Sequence, residues 1–176
     1  MPQPIRTCCR WIEEHGLQTE GVFRIPGDVK RMKEMQGEFN RDFNWQPPVT
    51  ELVPNVASTI IYFLLYHKNS QKKKEYMWGK QGMKDVYYLT KKPQEEWVNE
   101  AAKILLSFTP GCRETLFEIT DVLRQVALPE NSSVNRFGNP DPAEATHKVA
   151  LCIFPDIMTL AELMMSHWEE LYEMTH

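Results

Sequence analysis

The chain has 176 residues, 42% of them apolar and 25% charged, with a formal net charge of −4. That fits one soluble globular domain over residues 1–176, large enough to bury a core without staples. It excludes a global basic field for nucleic acid, and no apolar run reaches membrane-spanning length.

The N-terminal Met1-Pro2-Gln3-Pro4 carries no signal-peptide pattern. A first helix is predicted over Ile5–His15, with Ile5, Cys8, Cys9 and Ile12 on one side and Gly16 closing it at C′. Gly16 to Gly27 then reads as a rigid turn, punctuated by Gly21, Pro26 and Gly27, with Arg24 between Phe23 and Ile25. Asp28 is an N-cap for a second helix over Val29–Phe39, presenting Val29, Met32, Met35 and Phe39. Pro54–Tyr66 reads as a buried central helix, apolar almost all round through Ile60–Leu65.

The lysine-rich stretch from His67 to Pro93 is expected to be a long ordered loop with short helical pieces. A helix follows over Gln94–Ser107, with Trp97, Ala101, Ile104 and Leu105 inward. Thr109-Pro110 is a cap-proline start for a helix to Ala127, with Leu116, Ile119, Val122, Leu123 and Val126 as its core face. Leu128–Pro140 reads as a polar loop. Asp141-Pro142 repeats the start signal for a helix to Ile153. After Pro155 a last helix is predicted over Asp156–Met174, with Ile157, Leu160, Leu163, Met164, Trp168 and Leu171 inward. The expected architecture is all-α, a single bundle of seven to nine helices. Its abrupt start and end read as those of a domain excised from a longer protein.

Cys8, Cys9, Cys112 and Cys152 show no CxxC or Cys/His ligand spacing, and the five histidines are scattered. No metal site is expected, and the cysteines read as free thiols in a reducing cytoplasm. No GxxxxGK[ST] string occurs, so no nucleotide site of the chain's own is expected.

The string Gly16-Leu17-Gln18-Thr19-Glu20-Gly21-Val22-Phe23-Arg24-Ile25-Pro26-Gly27 closely resembles the finger loop of Rho-family GTPase-activating (RhoGAP) domains. Three further blocks are similar to that family: Val53–Leu65, Phe108–Ala127 and Lys148–Asp156. The chain is identified as a divergent member. Family members carry a lysine at the position of Ile61 and an arginine at that of Leu65. His67-Lys68-Asn69-Ser70 replaces a leucine-proline-glutamate-proline motif. Lys148 and Asp156 stand where the family has asparagines.

The resemblance implies the RhoGAP fold and a task performed on a partner rather than a self-contained enzyme. Arg24 is the implied catalytic finger, inserted in trans into a GTP-bound Rho/Rac-type small GTPase. Ile25, Pro26, Lys148 and Asp156 are implied GTPase contacts, and Gly21, Phe23 and Gly27 loop support. No cofactor of its own is implied, because magnesium and GTP belong to the GTPase. The changes at Ile61, Leu65 and Lys148 keep an alternative open: a weak or inactive module that binds a GTPase or scaffolds another partner.

An arginine in a loop is by composition alone a solvated charge; the surrounding string is what sets Arg24 apart. Lys72, Lys73 and Lys74 offer contact with an anionic membrane. Glu75, Asp85, Glu95 and Glu96 balance them, and a solvated loop is the favoured reading. The isolated domain is expected to be a cytoplasmic monomer.

Overall fold

A computed structural model describes residues 3–65, 67–68, 74–75, 77–131 and 142–176. Nine α-helices have both ends among them: α1 Gln3–His15, α2 Val29–Arg41, α3 Val53–Leu65, α4 Gly79–Leu89, α5 Trp97–Ser107, α6 Pro110–Ala127, α7 Pro142–Ile153, α8 Met158–Ser166 and α9 Trp168–Thr175. Short 3-10 turns precede α5 (Gln94–Glu96) and α8 (Pro155–Ile157).

The axis of the bundle is α6. Thr109 caps it by accepting from the Cys112 amide at 3.3 Å, Pro110 occupies its first turn, and Leu116, Ile119, Val122, Leu123 and Val126 are buried. Helices α1, α5, α7, α8 and α9 all pack on it. Helix α3, expected to be central, instead lies between α1 and α2; Val56, Ala57, Ile60 and Leu64 are buried, while Ile61, Tyr62 and Phe63 are half-exposed. Truncating a fully buried residue of α6 removes apolar contacts and leaves a void. Leu123→Ala should therefore destabilise the domain by about 2–5 kcal/mol, read by urea unfolding.

Five local expectations need correction. Gly16 ends α1, its amide donating to Ile12 O at 2.7 Å, but the described glycines with positive φ are Gly21 and Gly79 alone. Gly16 is small because α3 passes close: an added Cβ would lie 3.0 Å from Val53 Cγ1. Val29 faces solvent, leaving Met35 and Phe39 to bury α2.

The lysine-rich stretch contains a full helix, α4, and a two-residue antiparallel pairing of His67–Lys68 with Lys74–Glu75. Val86 and Leu89 bury one face of α4, and Gly82 sits against the Phe108 ring. The last predicted helix is broken at His167, whose φ of −124° and ψ of 37° separate α8 from α9.

Residues 129–131, part of the expected polar loop, are helical. The remainder of that loop, 132–140, and the predicted cap Asp141 lie outside the described residues. So do Lys72 and Lys73, while Lys74 contributes its backbone pairing with Lys68. Among the described residues, Cys8, Cys9 and Cys112 are buried free thiols and Cys152 is half-buried. No described helix is long and apolar enough to cross a membrane.

Candidate functional site

The loop joining α1 to α2 begins with a turn in which the Thr19 amide donates to Gly16 O at 3.0 Å. Gly21 then takes φ +67°, in the left-handed region where side chains are strained. Its carbonyl accepts from both the Arg24 amide (2.9 Å) and the Ile25 amide (2.8 Å), closing a tight loop. A Cβ on Gly21 would fall 2.7 Å from Ile25 Cγ1, so the turn excludes a side chain for two reasons.

Within this turn the chain crosses from inside to outside in one peptide unit. Val22 is fully buried and Phe23 is 5% exposed, whereas Arg24, Ile25 and Pro26 face solvent. Phe23 fastens the loop to the core and leaves Arg24 at its surface.

The loop's exit is held by α3. The Gly27 amide donates to Ser58 Oγ at 2.8 Å, and the Asp28 amide to Asn55 Oδ1 at 2.8 Å. Asn55 is buried, and its Nδ2 donates to Glu51 Oε1 at 2.8 Å. Arg31 donates to Glu51 Oε2 from Nε at 2.8 Å and from Nη2 at 2.6 Å. Asp28 Oδ1, capping α2, accepts from the Arg31 amide at 2.7 Å. Burial pushes the Glu51 carboxyl up, but hydrogen bonds from Arg31, Asn55 and the Leu52 amide outweigh it and set it below the ordinary carboxylate value. The same bond to Glu51 raises Arg31. Gly27 lies against this anchor so closely that a Cβ would meet Asn55 Cα and Pro54 O at 2.7 Å each.

Among the described residues the Arg24 guanidinium makes no salt bridge or side-chain hydrogen bond; Nη2 lies 3.4 Å from where a Gly21 Cβ would be. Its positive charge reaches Cys152 on α7, pulling down a thiol that burial raises. Lys148 lies one helical turn before Cys152, on the same face of α7. Arg24 is thus within electrostatic reach of Cys152 on α7. Asp156 is exposed in the 3-10 turn that follows α7. Ile61 is half-buried against the core, and the Leu65 side chain lies outside the described residues. No group of three or more His, Cys, Asp or Glu side chains is placed to hold a metal among the described residues.

A family model of the RhoGAP domain matches residues 2–161. The chain belongs to the RhoGAP family. It is 28% identical over 128 residues, 72% of its length, to bovine (Bos taurus) Rho GTPase-activating protein 36, covering 23% of that protein. It is 34% identical over 64 residues, 36% of its length, to mouse (Mus musculus) Rho GTPase-activating protein 6, covering 6% of that protein. The chain thus spans a quarter or less of these curated relatives. The RhoGAP fold is matched by the BH domain from GRAF, the GTPase regulator associated with focal adhesion kinase, at a TM-score of 0.77 and 16% identity, covering 97% of this chain and 93% of that one. Human Rho GTPase activating protein 15 aligns at a TM-score of 0.74 and 14% identity, covering 96% and 82% respectively.

Four residues of this RhoGAP domain's loop anchor escaped the sequence reading: Arg31, Glu51, Asn55 and Ser58. The available signal was Asn55 and Ser58, two polar residues three apart in the first turns of a mostly apolar helix. Such a pair on a buried face implies backbone groups that need partners.

Proposed function

We propose that this domain stimulates GTP hydrolysis by a Rho/Rac-type small GTPase, with Arg24 inserted in trans into the GTPase's active site. The observation that carries this reading is Arg24 itself. It stands exposed at the tip of a loop fastened at both ends, with no ion pair to break among the described residues.

Hydrolysis places negative charge on the phosphate oxygens as the terminal phosphoryl group separates. The GTPase brings the magnesium, the nucleotide and the water-orienting group. Arg24 supplies a planar cationic fork in a site from which water is excluded. Arginine suits this task because it stays protonated and presents several donors in one plane. Ile25 and Pro26 flank the finger as exposed contact surface, and Lys148 and Asp156 extend the contact along α7 and the turn after it. The domain acts as a cytoplasmic monomer on the GTP-bound form of its partner.

The test is single-turnover GTP hydrolysis by a panel of Rho- and Rac-type GTPases, with and without the domain. Acceleration is expected for at least one member. No acceleration across the panel, alongside measurable binding, would favour a second reading: a GTPase-binding or scaffold module. The changes at Ile61, Leu65 and Lys148 favour that second reading.

A further inference from the structure

The Asp28 amide at the loop's exit is held by Asn55, which is itself held by Glu51. Asp28, Arg31, Glu51 and Asn55 form a closed circuit. The Asp28 side chain accepts from the Arg31 amide, Arg31 donates to Glu51, Asn55 donates to Glu51, and the Asp28 amide donates to Asn55. Two of the four belong to the start of α2 and two to the chain entering α3.

Glu51 divides its oxygens within this circuit. Oε2 takes both Arg31 donors, leaving Oε1 for Asn55 and for the Leu52 amide at 3.1 Å. That division fixes which way round the Asn55 amide lies. With Nδ2 held by Glu51, Oδ1 must face the Asp28 amide. A flipped Asn55 would set donor against donor there. The Glu51 side chain is 6% exposed, so water does not readily substitute for either partner.

We propose that Glu51 is a positioning residue for the finger loop: fixed by Arg31, it orients Asn55, which holds the loop's exit and hence the mounting of Arg24. This assignment rests on the reading of Arg24 as a finger, but its structural half is measurable without a GTPase.

The experiment compares the 176-residue domain with its Glu51→Ala and Glu51→Gln variants by two readouts. The first is amide hydrogen exchange at Gly27 and Asp28, with α6 amides as reference. The second is single-turnover GTP hydrolysis over a titration of the domain, which separates the maximal rate from the half-saturating concentration.

Glu51→Ala should speed exchange at Asp28 by about tenfold, the equivalent of one lost hydrogen bond, and leave α6 unchanged. It should lower the maximal rate by about 10- to 100-fold through misplacement of the finger, and change the half-saturating concentration far less. Glu51→Gln keeps one acceptor but turns an NH2 donor toward either Arg31 or Asn55, so it should recover only part of both losses. A merely structural role would speed exchange in α6 together with the loop and, by lowering the folded fraction, raise the apparent half-saturating concentration with little change in the maximal rate.

Unchanged exchange at Asp28 in Glu51→Ala overturns the proposal, as does faster exchange there that extends equally to the α6 amides. Should Glu51→Ala not fold, Asn55→Ala takes its place, and an unchanged Asp28 amide there overturns it equally. A wild-type domain that accelerates no GTPase sinks the finger reading, while the exchange data still decide whether Glu51 holds the loop.

Discussion

Arg24→Ala should abolish most of the domain's stimulation of GTP hydrolysis, a loss of about 10³- to 10⁵-fold in the saturated single-turnover rate. At 1.36 kcal/mol per decade this is about 4 to 7 kcal/mol of barrier. The loss should fall on the rate. In the proposed mechanism the charge that Arg24 meets develops only as the phosphoryl group separates, so binding of the GTP-bound GTPase should change little. Arg24→Lys should recover a small part, because an ammonium offers charge without the planar fork. The fold should be indifferent to either change, since Arg24 is exposed and makes no side-chain bond among the described residues. Circular dichroism and melting temperature matching wild type would establish this. Stimulation that survives in Arg24→Ala would transfer the chemistry to another residue or to binding alone.

Gly27→Ala should also be damaging, less severely and by a different route. The added Cβ meets backbone on both sides, Asn55 Cα and Pro54 O at 2.7 Å, and neither can turn aside as a side-chain tip would. The loop must retreat from α3, which breaks the Gly27–Ser58 and Asp28–Asn55 bonds together. The expected cost is about 1–3 kcal/mol of stability, as for overpacking elsewhere, and about 100-fold in rate from the displaced finger. Gly37 in the middle of α2 is the control. An added Cβ there meets nothing closer than Arg41 Nη2 at 4.0 Å. Gly37→Ala should therefore stabilise by about 0.5–1 kcal/mol through helix propensity and leave hydrolysis unchanged. Denaturant titrations and the hydrolysis assay on both variants separate crowding from composition.

The helices that begin with a cap were readable from the sequence. Asp28 and Thr109-Pro110 start α2 and α6 where their chemistry says, because a cap acts on amides two or three residues away. Helix α4 was not readable: its glycines and lysines look like loop, and it is helical because Val86 and Leu89 find the core and Gly82 fits under Phe108. The break at His167 was hidden for the opposite reason, since apolar spacing runs on from Leu163 through Leu171 without a proline or glycine. The site divides in the same way. Arg24 stands in a recognisable local string. Its anchor joins Gly27 to Ser58 and Arg31 to Glu51, partners 31 and 20 residues apart, and no local pattern announces a hydrogen bond over that separation.

The one-residue passage from buried Phe23 to exposed Arg24 also divides the finger's entropy. The backbone from Gly21 to Asp28 is already ordered before any partner arrives, at a saving of about 1–2 kcal/mol per residue relative to a floppy loop. The Arg24 side chain keeps its rotamers, and freezing them on insertion costs about 2 kcal/mol. In the proposed mechanism a GTPase meeting this domain would therefore have one side chain to order, not a segment. Encounter should be governed by diffusion and charge rather than by loop folding. Association rates should accordingly respond to salt and show little dependence on solvent viscosity beyond that of diffusion itself.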